Sequence, residues 1–184
     1  MDQSLDHFIR LFAESMSRGN YKEAARIREE HSIPSEMLQE AVMAAFKRQV
    51  AEGQYSIAAE LGKQYHLPES LVKDVAARSF QRKLESEHFK AAADYAKEYD
   101  LPQDLVREAA VQAFRKSMSF GLEKNAAEIA VDFELPESMI QEAAGASFRS
   151  YMKAGLYRKA LTIARKYNLP GEMVTEAENK MAGR

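Results

Sequence analysis

The sequence predicts an all-α fold, a right-handed α-solenoid of 34-residue helix-turn-helix repeats in which six long and five short helices alternate. Three observations carry this expectation. Pro34, Pro68, Pro102, Pro136 and Pro170 stand 34 residues apart, and the chain has no other proline. Phe12, Phe46, Phe80, Phe114 and Phe148 keep the same interval. Between these landmarks the apolar residues recur at helical spacing, and the copies align without gaps. A fixed period of this size marks stacked repeats, each burying its apolar face against the next.

Taken in order, residues 1–18 supply an N-terminal capping helix over 3–18. Gln3, Ser4 and His7 replace apolar residues along its outer edge. The repeats occupy 19–169. Their short helices lie in the segments Asn20–Ile33, Gln54–Leu67, His88–Leu101, Leu122–Leu135 and Leu156–Leu169. In the second of these, Tyr55, Ala58, Ala59, Gly62 and Tyr65 form one face, and the small residues let a neighbouring helix approach closely. Ala24, Ala58, Ala92, Ala126 and Ala160 share one column.

Each short helix is expected to stop in a left-handed residue, such as His66, Asp100 or Asn168, with the following leucine as its apolar contact. Proline is expected in the first turn of the next helix. The long helices, about 17 residues each, cover Met37 to Val50, Leu71 to Leu84, Leu105 to Met118 and Met139 to Met152. Gly19, Gly53, Gly121 and Gly155 mark the turn after each, with Glu87 in that position in the third copy. Residues 170–184 form the C-terminal capping helix, and Glu178 interrupts an otherwise apolar column. The whole of 1–184 is expected to be one domain. Phe12, at the end of the stack, is expected to matter less for stability than Phe80.

Composition narrows the function classes. With 46% hydrophobic and 29% charged residues the chain falls in the ordinary globular range. The longest apolar run, Ala41–Phe46, is far short of a membrane span. The N-terminus lacks a basic-then-apolar signal pattern, so cytoplasm is the default location. No cysteine is present, which removes disulfides, thiolate metal sites and cysteine nucleophiles. A net charge of −2 gives no bulk attraction to nucleic acid.

Gly19-Asn-Tyr21-Lys-Glu-Ala24, Gly53-Gln-Tyr55-Ser-Ile-Ala58 and Gly155-Leu-Tyr157-Arg-Lys-Ala160 share a Gly-x-Tyr-x-x-Ala pattern. With the period of 34 and the proline that follows, this resembles the second helix of tetratricopeptide repeats. The family's tryptophan and Leu-Gly are absent, and the two helices here differ in length. The resemblance implies a concave surface that holds peptides or partner proteins.

No catalytic constellation stands out. His7, His31, His66 and His88 occupy four different repeat positions and form no metal-ligand spacing, and no phosphate loop or nucleophile elbow is present. No cofactor or metal is expected, and the chain is read as a non-enzyme. The strongest pattern outside the core is an acidic column, Asp6, Glu40, Asp74, Glu108, Glu142 and Glu176, one residue per long helix. Beside it runs a column of apolar or small residues: Ile9, Met43, Ala77, Val111 and Gly145. Beyond that lies a basic band, Lys47, Arg48, Arg82, Arg115, Lys116 and Arg149.

An apolar strip between acidic and basic rails would suit a peptide. The partner-binding candidates are therefore Glu40, Asp74, Glu108, Glu142, Met43, Val111, Lys47, Arg48, Arg82, Arg115 and Arg149. The structural alternative is that the acids pair with Lys73 or Arg107 of neighbouring repeats and with Arg10 and Arg78 at i+4. Two other functions fit the repeat: a helical-repeat RNA binder, against which the net charge argues, and a self-associating structural subunit.

Overall fold

The computed structural model describes residues 3–183, and these are helical with no strand. The long helices are α1 (Gln3–Ser17), α3 (Gln39–Ala51), α5 (Glu69–Glu85), α7 (Gln103–Ser119), α9 (Glu137–Lys153) and α11 (Gly171–Met181). The short ones are α2 (Tyr21–Glu30), α4 (Tyr55–Gln64), α6 (Phe89–Glu98), α8 (Glu123–Asp132) and α10 (Tyr157–Lys166). A 3₁₀ turn, Ser35–Leu38, precedes α3.

Two compact units emerge. The first contains the residues up to Arg82 together with Tyr99–Leu101, and the second contains Lys83–Glu98 and the residues from Pro102 onward. Within each, helices pack on their neighbours: α1 on α2 and α3, and α3 on α4, in the first; α6 through α11 in consecutive pairs in the second.

Backbone chemistry sets the 34-residue beat. Each short helix stops at a left-handed residue, with φ between 48° and 55° at Ser32, His66, Asp100, Glu134 and Asn168. At four of the five, two backbone bonds close the end. His66 N–H donates to the Lys63 carbonyl and Leu67 N–H to the Gly62 carbonyl, with counterparts at Ser32–Ile33, Glu134–Leu135 and Asn168–Leu169. This is the Schellman pattern, and its apolar partner is present, since Ile33, Leu67, Leu135 and Leu169 are buried. Long helices end the same way, so Glu87 takes φ 56° where the other copies place glycine.

Two expectations need correction. Proline stands one residue earlier than the first helical turn: Pro102, Pro136 and Pro170 are N-caps in extended geometry, with ψ of 135–139°. Their carbonyls accept the first helical N–H groups, a task that needs no proline N–H. The helix after Pro34 is also not uniform. Its first turn is 3₁₀, Met37 N–H bonding to the Pro34 carbonyl, and this tighter turn packs on α1 with Leu38 only 1% exposed.

The core follows the repeat columns. Ala24, Ala58, Ala92, Ala126 and Ala160 are all fully buried, as close helix approach requires. At Gly62 an added Cβ would lie 2.6 Å from Val72 Cγ2, so this crossing leaves no room for a side chain without movement of Val72. Tyr65 is buried among Phe12, whose ring meets it edge-on at 5.7 Å, and Arg28, whose guanidinium lies 5.3 Å from the ring centre.

The Tyr65 hydroxyl has no hydrogen-bond partner among the described residues. Burial pushes it above the ordinary tyrosine pKa, Arg28 opposes the rise, and Glu29 adds to it. Tyr65→Phe is therefore expected to raise stability by about 1 kcal/mol, because an unsatisfied polar atom leaves the core. A second consequence is tested by pH. The folded hydroxyl keeps its proton longer than the unfolded one, so stability falls as pH rises above about 10 and through the raised folded value. Denaturation midpoints across that range should show a smaller alkaline loss in Tyr65→Phe. An equal or lower midpoint at neutral pH would show that the hydroxyl is satisfied.

Candidate functional site

The acidic column lies on exposed positions: Asp6, Glu40, Asp74, Glu108, Glu142 and Glu176 all face solvent. Asp74 pairs with Arg78 one turn on, at 3.0 Å, as an i+4 pairing predicts. Lys73 instead pairs with Glu69 at 2.6 Å within its own helix. That pair holds the Glu69 carboxyl below and the Lys73 ammonium above their ordinary pKa values, through a hydrogen bond and charge attraction. Glu40, Glu108 and Glu142 make no ion pair among the described residues.

The basic band divides into two kinds of residue. Arg48 donates to the Met16 carbonyl at 2.7 Å, to the Ser17 carbonyl and to the Tyr21 hydroxyl at 3.1 Å. Arg82 donates to the Gly53 carbonyl and lies 4.7 Å from the centre of the Tyr55 ring. Lys116 donates to the Glu87 carbonyl and carboxylate, both at 3.0 Å, and lies over Phe89 at 5.4 Å. These three share one repeat column: Arg48 takes carbonyls in the last turn of α1, and Arg82 and Lys116 each take the carbonyl of a left-handed turn residue, Gly53 and Glu87. Tyr21, Tyr55 and Phe89 stand 34 residues apart; where the next copy has Glu123, the basic column changes to Ser150, which donates to that carboxylate at 3.2 Å.

Arg48 and Arg82 are thus fastened to their neighbours within the first unit. Lys47, Arg115 and Arg149 are exposed. The Arg149 guanidinium lies 3.3 Å from where a Cβ on Gly145 would stand, so it covers that buried glycine. Met43 and Val111 are half-buried. The expected strip between two rails is therefore modified: Asp74 is paired while Glu40, Glu108 and Glu142 make no ion pair among the described residues, part of the basic band is structural, and the apolar column is open only in places.

In the first unit the long-helix face forms a groove of about 420 Å³ between α1 and α3. Ile9, Ala13, Ala41 and Ala44 line it, Met37 stands at one end, and Glu40 and Arg48 are on its walls. Glu40 is its one acidic side chain.

The short-helix faces hold two further grooves, built largely from exposed and half-buried residues. One, about 620 Å³, lies between α2 and α4 in the first unit. The other, about 560 Å³, lies between α6 and α8 in the second. Most of their lining residues are 68 positions apart, two repeats: Tyr21 corresponds to Phe89, Glu60 to Glu128 and Leu61 to Ile129. A reading of buried columns passes over a groove made by the exposed ones.

Among the described residues no three His, Asp or Glu side chains are gathered as a metal would need, and no helix is long and apolar enough to cross a membrane. Comparison of the chain with protein-family models, curated proteins and solved structures finds no match.

Proposed function

We propose that the chain is a non-enzymatic scaffold, a right-handed α-solenoid of tetratricopeptide-like hairpins that holds a protein or peptide partner on its long-helix face. The observation that carries this reading is the α1–α3 groove, whose small apolar floor adjoins the unpaired Glu40 carboxylate. Arg48, the groove's one base and on the same helix as Glu40, already serves the α1 carbonyls. The groove therefore offers uncompensated negative charge beside an apolar surface, and an extended or helical segment with an aliphatic side chain next to Lys or Arg matches it.

A peptide array of varied charge and hydrophobicity tests this on the full chain. Basic-apolar peptides should be retained, with Glu40→Lys and Ala44→Glu each reducing retention by about tenfold while leaving helicity intact. Retention that ignores both substitutions, or a preference for acidic peptides, would remove the groove as the binding site.

A further inference from the structure

The repeat provides its own control for surface residues, and the second unit departs from it. Phe120 occupies a column that holds Arg18, Glu52, Ser86 and Ala154 in the other copies, yet it is 68% exposed. Leu122 and Leu156 occupy a column that holds Asn20, Gln54 and His88, and they are 49% and 43% exposed. The other copies form the same helices with polar or small residues there, so the fold does not require these large apolar groups. Phe120 and Leu122 line the α6–α8 groove together with Phe89, Ile129, Glu128 and Asp132.

Charge is divided unequally between neighbouring short helices, three acids and one base on α8 against four bases on α10. On α8, Glu128 and Asp132 stand one turn apart at the groove; Glu128 is 3.7 Å from Lys124 of the same helix, and Asp132 makes no ion pair among the described residues. The next short helix, α10, carries Arg158, Lys159, Arg165 and Lys166 and no acidic residue. Arg165 bonds Glu178 at 2.7 Å and Lys166 stands 3.8 Å from Glu128, while Arg158 has no ion pair among the described residues.

We propose that this outer face of the second unit, around α8 and α10, pairs with the same face of a second copy of the chain. An isologous interface requires one surface carrying both halves of the contact. Here the acidic row of α8 would meet the basic row of α10 in the partner copy, twice over, with Phe120, Leu122 and Leu156 covered at the start of the two helices. A purely basic peptide would satisfy α8 but be repelled by α10, and an anionic polymer the reverse. A second copy matches both. This inference rests on different residues from the α1–α3 groove and stands independently of it.

Sedimentation equilibrium of the full chain, from low micromolar to near-millimolar concentration, tests the pairing. A reversible dimer weakened by added salt is expected. Phe120→Glu and Leu122→Glu, both at exposed positions, should weaken it by about tenfold or more with helicity unchanged. A charge exchange makes the test specific. Glu128→Lys with Asp132→Lys in one variant, and Arg158→Glu with Lys159→Glu in another, should each dimerise poorly alone, yet associate when mixed. A monomer at the highest concentration, a dimer indifferent to Phe120→Glu, or no recovery on mixing would overturn the proposal.

Discussion

Phe12→Ala is expected to destabilise the first unit by about 3–5 kcal/mol, as much as Phe148→Ala destabilises the second. The repeat placed Phe12 at the end of a stack and so suggested a smaller loss. The packing argues otherwise. Phe12 is fully buried, against 1% exposure for Phe148, because α1 rests on α2, on the 3₁₀ turn and on α3, and Tyr65 closes over its ring edge. A phenylalanine so enclosed leaves a cavity on truncation, with rigid aromatic and helical neighbours that collapse only in part. Urea denaturation followed by circular dichroism gives both losses. A loss at Phe12 less than half that at Phe148 would mean that α1 is a detachable end.

Arg48→Ala should cost about 2 kcal/mol, an unusual amount for a side chain about one-third exposed, because it removes charge-assisted bonds to two carbonyls at the end of α1. The helix dipole adds to the value of a cation there. Arg48→Lys should recover part of the loss, since one ammonium can reach one carbonyl but cannot fork across two. If Arg48 served only a partner, both variants would unfold at the wild-type midpoint.

Much of the local architecture was legible because it depends on residue type at a fixed period. Left-handed stops at His66, Asp100 and Asn168 follow from side chains that tolerate positive φ, and the same stop at Ser32 and Glu134 shows the period overriding residue preference. The 3₁₀ start before α3 was not legible, since it depends on how Leu38 reaches α1. The candidate site divides in the same way. Exposure of the acidic column follows from helical phase, whereas the capping role of Arg48 and Arg82 requires the meeting of two helices more than two dozen residues apart. Phe120 was hidden for another reason: an apolar residue beside a turn reads as core until its column is compared across the copies.

The arginine and lysine caps have a consequence for the order in which the structure comes apart. Arg48 on α3 holds the last carbonyls of α1, Arg82 on α5 holds that of Gly53, and Lys116 on α7 holds that of Glu87. Each of these fastenings runs from a later residue back to a turn roughly thirty positions earlier in the chain. Fraying at those turns is therefore gated from downstream. In the first unit α3 acts as a latch on α1, and amide exchange at the end of α1 becomes a report on whether α3 is in place.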